Sequence, residues 1–298
     1  MSTQNSGTTV SPSDGSESPG IDERRAGYDA FMARELPADV RAEVGALGGR
    51  PALELIPAIV ADEQARLLYL HGGAFVMGSP AGYSGFTAQF ARRAAIRTVS
   101  LAYRLAPEHP FPAAVEDGLA AYRDLLGRGT PSSRIVLAGD SAGGNLVLAT
   151  LLAARREGLP MPAAAVLMSP VTDVAMTGES MRAKSGVDPI FTPEFLAEPF
   201  GAYLAGTDPR TELASPLFAD LHGLPDLLIQ VGSHELLLDD STRLAARAAA
   251  ADVTVTLEVV AQAPHVFQIH YESSPAAADA LDRVAQFIRR MLSQPVTG

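Results

Sequence analysis

The sequence predicts an α/β fold with a mostly parallel central sheet, helices on both faces and a helical cap. Three observations predict it. From Leu53 onward, short apolar runs of strand length alternate with longer runs at helical spacing, as in a parallel sheet covered on both sides. The segment Gly139-Asp140-Ser141-Ala142-Gly143 joins one such strand to one such helix. Between Thr172 and Pro216 the rhythm breaks into aromatic residues and prolines without a good strand.

Residues 1–20 are mostly Ser, Thr, Gly, Pro and Asn with two acids and almost nothing apolar, too polar to offset ordering entropy, and predict a disordered tail. Asp22 to Glu35 has helical character, with Tyr28, Phe31, Met32 and Leu36 at helical spacing, and 21–48 is expected to supply N-terminal cap helices. Strands are expected at Arg66 to Leu70, Thr98 to Ala102, Ile135 to Ala138, Ala164 to Met168, Leu227 to Val231 and Val253 to Val260. Helices fit Ala113 to Leu126, Leu146 to Ala154, Asp239 to Ala250 and Ala276 to Met291. The α/β core then comprises 49–171 and 217–298. The segment 172–216 reads as a cap insertion, cut into short helices at Pro189, Pro193, Pro199 and Pro209, with apolar walls for a site below. Ordinary crossover helices are the plainer alternative.

Composition narrows the function classes. Lys and Arg total 23 against 34 Asp and Glu, a net charge of −11 that disfavours nucleic acid and anionic membrane surfaces as partners. The absence of cysteine excludes disulfides, thiolate metal sites and cysteine nucleophiles. The N-terminal residues lack a basic start and an apolar core, and no apolar run reaches the ~18 residues of a membrane span. A cytoplasmic location is the default expectation.

The Gly139–Gly143 segment has the G-x-S-x-G form of a nucleophile elbow, in which a sharp strand-to-helix turn lifts a serine hydroxyl clear of the sheet. The helix dipole begins just behind Ser141 and favours negative charge there. A serine needs a base, and the base needs an orienting carboxylate. Of six histidines, His265 lies just past the last expected strand and is the candidate base. Activity should then fall as a histidine base protonates, below about pH 6 to 7 for an ordinary imidazole. Glu235, where the chain leaves the strand Leu227 to Val231, is the candidate acid; Asp239 and Asp240 remain alternatives, with helix capping as their other role. Acyl transfer also needs N–H donors for the oxyanion. His71-Gly72-Gly73-Ala74-Phe75 follows a strand directly, so Gly72 and Gly73 are the expected donors, with Ala142 just after the nucleophile.

Taken together, His71-Gly72-Gly73, Tyr103-Arg104-Leu105-Ala106-Pro107-Glu108, Gly139-Asp140-Ser141-Ala142-Gly143-Gly144-Asn145 and Pro264-His265 resemble the hormone-sensitive lipase family of α/β hydrolases over roughly residues 64 to 290. Ser169 to Tyr203 also resembles a branch of ε-lactone hydrolases and acetyl esterases. The resemblance implies the α/β-hydrolase fold, a two-part cap from the N-terminal helices and the insertion, and mostly short acyl substrates. It also implies that Arg104 and Glu108 brace the loop under the elbow, and that Asp140 supports the turn without transferring protons. Two departures stand out: Ala74 fills the place of a third glycine, and Glu235-Leu236-Leu237 that of the commoner Asp-Pro-Leu.

The expected function is a serine carboxylesterase acting on a small-molecule ester through an acyl-enzyme, without metal or organic cofactor. A lactone hydrolase or an O- or N-acetyl deacetylase would use the same residues. A non-catalytic ligand-binding protein on the same fold is the rival from another class. The edge strand Val253 to Val260 offers pairing to a second copy, and hence a homodimer.

Overall fold

The computed structural model describes residues 20–294. The tail expected over 1–20 lies, apart from Gly20, outside them, as do the last four residues of the chain expected to belong to the core. The eight strands are β1 (Val40–Leu47), β2 (Arg50–Pro57), β3 (Arg66–Leu70), β4 (Arg97–Leu101), β5 (Ile135–Asp140), β6 (Ala164–Met168), β7 (Asp226–Gly232) and β8 (Val255–Val260). They form one sheet in the order β1-β2-β4-β3-β5-β6-β7-β8, parallel from β4 to β8 and antiparallel at β1 and β2.

Every residue of β5 and β6 is buried, which explains why these strands read as unbroken apolar runs. Alternate side chains serve opposite layers. Leu68, Leu70, Leu137 and Leu167 join a core with α3 (Ala113–Gly127), α4 (Ala142–Arg156) and α7 (Leu238–Ala250). Leu67, Tyr69, Val136 and Val166 pack on the other face with α2 (Ser84–Ala94) and α8 (Pro275–Leu292). The remaining helices are α1 (Ile21–Met32), α5 (Ser180–Ala183) and α6 (Pro193–Leu204).

Three expectations need correction. Only α1 is helical within 21–48; residues 40–47 are the edge strand β1, paired with β2 through Gly48 and Gly49 at φ 59° and 78°. Two consecutive positive φ values suit a two-residue hairpin turn, whereas the six interior residues of β1 are exposed and carry no burial pattern to announce a strand. Helix α2 was not expected, because SGFTAQFARRA is small and polar except for Phe86 and Phe90, one turn apart on its buried face. Pro199 lies inside α6 rather than at a boundary. Its ring removes one helical N–H bond, but Leu196, Phe200 and Tyr203 hold the helix against the core on either side.

Candidate active site

Ser141 sits between β5 and α4 with φ 52° and ψ −120°, a region that side-chain-bearing residues avoid. Its N–H is held by Met168 O at 2.9 Å, which ties the turn to the neighbouring strand β6. The turn also needs close backbone approach. A Cβ on Gly143 would lie 1.9 Å from Leu70 O, so only glycine lets α4 start against the end of β3.

Glu235, in the loop after β7, is fully buried, and its Oε2 lies 2.6 Å from His265 Nδ1. Its other oxygen accepts from Gly232 N at 2.6 Å and from the Ser169 hydroxyl at 2.8 Å. A carboxylate on Nδ1 places the ring proton there and leaves Nε2 free to accept one. Phe191, from the insertion, stands edge-on to the imidazole at 4.9 Å. His265 and Ser141 both face one cavity. No hydrogen bond joins them among the described residues; such bonds often tighten only with substrate bound.

Ser169 was missed by sequence reasoning. Its hydroxyl donates to Glu235 and accepts the Val266 N–H at 3.1 Å, so one side chain fixes both Glu235 and the loop of His265. The available signal was its place at the carboxyl end of the strand beside the elbow, where open α/β sheets collect ligands.

Asp239 and Asp240 do not approach His265 through any hydrogen bond, and they do not cap α7, whose N-cap makes no side-chain bond. They tether the insertion instead. Asp239 Oδ2 accepts the Ser180 N–H at 2.9 Å, while Asp240 Oδ1 accepts those of Thr172 and Asp173 at 2.7 and 2.9 Å. Burial pushes the Asp240 carboxyl up to about 7, against the two backbone bonds and with some help from the Asp173 charge. The folded chain therefore holds this proton more tightly than the unfolded chain. The resulting stabilisation is complete below the ordinary value of 3.8 and is lost as pH rises to about 7. Asp240→Asn resembles the protonated acid, so its thermal midpoint should match wild type near about pH 4 and exceed it by about pH 8. Equal midpoints at the higher pH would contradict a buried, proton-holding Asp240.

The expected oxyanion donors need one correction. The Gly72 N–H donates to Asp140 Oδ1 at 3.0 Å and is already engaged. Gly73 and Ala74, not Gly72, line the cavity beside Ser141. Every residue here carries an N–H, so the missing third glycine removes no donor. Ala142, first in α4, has an N–H with no intrahelical partner.

Asp140 also accepts from the Tyr69 and Tyr83 hydroxyls at 2.7 and 3.0 Å, and burial raises its pKa. His71 is buried against Tyr103 with ring centroids 4.3 Å apart, and desolvation lowers it to about 4, so it is neutral in ordinary buffers. Arg104 and Glu108, expected from the resemblance to brace the loop under the elbow, have separate partners. Arg104 binds Asp117 and Glu116, whereas Glu108 takes both Nη atoms of Arg25 on α1.

The cavity measures about 350 Å³ and is almost wholly apolar. Tyr28, Phe31 and Met32 of α1 form one wall; Ile190, Phe191, Phe195 and Phe200 of the insertion form another. Among the described residues, no cluster of three or more His, Asp or Glu is arranged to hold a metal. No described helix is long and apolar enough to cross a membrane.

The profile of a family described as having the alpha/beta hydrolase fold matches residues 67–269. A crystal structure of an esterase from the bacterial hormone-sensitive lipase family superposes with a TM-score of 0.90 at 42% identity, covering 94% of each chain. The chain belongs to the hormone-sensitive lipase family of α/β hydrolases. Its relatives in sequence include an acetyl-hydrolase of Streptomyces hygroscopicus, 44% identical over 75% of both chains. An esterase of Acinetobacter venetianus is 38% identical over 74% of this chain and 73% of its own.

Proposed function

We propose that Ser141, His265 and Glu235 are the nucleophile, base and orienting acid of this carboxylic ester hydrolase, with Gly73, Ala74 and Ala142 as its oxyanion donors. The observation that carries the reading is the buried 2.6 Å pairing of Glu235 with His265 Nδ1, on a cavity that also exposes Ser141. Ser141 Oγ attacks the ester carbonyl while His265 Nε2 takes its proton. The C=O electron pair moves onto oxygen and is met by the three N–H groups. Collapse expels the alcohol, which receives the proton from His265. Water then attacks the acyl-enzyme by the same route and releases the acid and free Ser141.

The substrates are short-chain acyl esters, acetyl to hexanoyl. The small apolar cavity supports this, and the acetyl-hydrolase relative supports the acetyl end of the range. A second reading is a lactone hydrolase or an O- or N-acetyl deacetylase of a secondary metabolite, and the relative named an acetyl-hydrolase bears on its acetyl part. A homodimer through β8 is part of the proposal. Among the described residues that strand ends the sheet with an unpaired edge, and Val259 on it is 47% exposed.

Initial rates on p-nitrophenyl acetate, butyrate, octanoate and palmitate test the reading, with a lactone and an N-acetyl amine alongside. Rates should peak at acetate or butyrate. Diethyl p-nitrophenyl phosphate should inactivate the enzyme with one phosphoryl group on the Ser141 peptide. Peak activity on palmitate would replace short esters by lipids. Turnover confined to the lactone or the amide would favour the second reading, and labelling at another serine would refute the site.

A further inference from the structure

Gly73, Ala74 and Phe75 take φ values of 111°, 52° and 67°, three consecutive residues in the left-handed region, two of them with side chains. Such a backbone persists only where its surroundings over-determine it. The loop's own turn supplies part of the restraint, since Gly73 O accepts the N–H groups of Val76 and Met77. The far end is held from outside. Phe75 O accepts the Ala106 N–H at 3.0 Å, and Val76 O accepts Arg25 Nε at 2.9 Å. Arg25 Nη2 also reaches Ala106 O at 3.1 Å, so one guanidinium spans both chains of this contact.

Glu108 fixes that guanidinium from the opposite side, at 2.8 and 2.7 Å. The pairing lowers the Glu108 carboxyl to about 2, which keeps it ionised at any working pH. Two further contacts seat α1 on the same region: Asp29 accepts the Ser79 hydroxyl at 2.6 Å, and the Tyr28 hydroxyl meets that of Tyr83 at 2.7 Å.

We propose that Arg25 is the positioning residue of the oxyanion hole, its guanidinium clamping the Phe75–Val76 end of the loop so that the Gly73 and Ala74 N–H groups converge beside Ser141. This rests on the donor assignment under Proposed function. It assigns α1 a task beyond forming a wall of the cavity. The task needs arginine, because a planar fork can serve two carbonyls and a carboxylate together, whereas lysine offers a single ammonium.

The test compares wild type, Arg25→Ala and Arg25→Lys on p-nitrophenyl acetate, whose acyl group is too small to depend on the apolar walls. Inhibition by an alkyl trifluoromethyl ketone is measured alongside. Ser141 Oγ adds to that ketone carbonyl and gives its proton to His265, and the carbonyl oxygen becomes a stable oxyanion in the hole. In Arg25→Ala, kcat should fall about 10- to 100-fold, less than the ~10²–10³ for deleting a donor, because the donors are displaced and not removed. KM should stay roughly constant, and the ketone inhibition constant should rise by the same factor as kcat falls. Arg25→Lys keeps the ion pair with Glu108 and should show both shifts to a smaller degree at the wild-type thermal midpoint, which covers any failure of Arg25→Ala to fold.

Arg24→Ala, which removes only a surface pair with Glu198, should leave kcat and the inhibition constant at wild-type values. A fall in kcat with unchanged ketone affinity would overturn the proposal. So would wild-type behaviour of Arg25→Lys, or an equal effect of Arg24→Ala. Residual turnover by Ser141→Ala would instead refute the underlying site assignment, so the two failures are distinguishable.

Discussion

Replacement of Ser141 by alanine is expected to lower kcat on p-nitrophenyl butyrate by about 10⁶-fold, the loss seen when a serine hydrolase loses its nucleophile. In the proposed mechanism the hydroxyl forms the covalent bond, and no other residue described in the cavity wall can replace it. Gly73, Ala74, Val171 and the phenylalanine walls offer no nucleophile, the Tyr28 and Tyr83 hydroxyls are hydrogen-bonded to each other, and Asp140 is engaged with two tyrosines and a backbone N–H. The change should cost little stability. Alanine inherits the same left-handed φ of 52°, and the missing oxygen belongs to the cavity wall, not to the packed interior. Steady-state kinetics and a melting curve on the same preparation check both halves. A variant that keeps more than about a hundredth of wild-type turnover would remove Ser141 from the chemistry, since the expected loss is far larger.

Glu235→Gln is expected to cut kcat by about 10⁴-fold, as for the loss of an orienting acid in a triad. The amide can still accept from Gly232 and Ser169 with its oxygen. Its NH₂ must then face His265 Nδ1, where the carboxylate oxygen stood at 2.6 Å. That donor favours the tautomer with the proton on Nε2, the wrong one for accepting a proton from serine. The imidazolium formed during attack also loses its counter-charge. Asp239→Asn and Asp240→Asn make the contrast: their carboxylates bind the insertion at Ser180, Thr172 and Asp173, so both variants should stay within a few-fold of wild type. A nearly active Glu235→Gln beside an inactive Asp240→Asn would transfer the role of acid.

The two expected results bear on how the proposed catalytic pair is built. Glu235 is fully buried and, among the described residues, pairs with no arginine or lysine; its hydrogen bonds come from Gly232, Ser169 and His265. A buried carboxylate must be paired or hydrogen-bonded to remain charged. Its partners come from β7 itself, from the loop after β6 and from the loop after β8, three neighbouring segments at the carboxyl edge of the sheet. Parallel pairing of β5 to β8 brings these loops together, which explains how residues so far apart in the chain meet.

Much of this was legible in the residues themselves. Local pattern determined the strands from β3 to β8, because buried parallel strands are unbroken apolar runs, and it determined the helices α3, α4, α7 and α8 by their apolar period. The strand–Gly-x-Ser-x-Gly–helix context marked Ser141. Position after the late strands singled out Glu235 and His265, which the structure holds 2.6 Å apart. Those signals are local: a period, a turn and a residue type at a strand end.

Only the tertiary structure decided the rest, and in each case the partner comes from elsewhere in the chain. Gly72 and Ala74 both carry an N–H; Asp140, arriving on another strand, occupies the first and leaves the second to the cavity. Asp239 and Asp240 look like helix caps in sequence, yet the insertion presents its own N–H groups to them. Glu108 stands near Arg104 in the chain, but Arg25 of α1 takes its carboxylate. The exposed strand β1 has no pattern of its own and exists because β2 offers an edge. Residue type and period thus determined which groups are available, while long-range backbone geometry decided which partner each buried donor and acceptor finds.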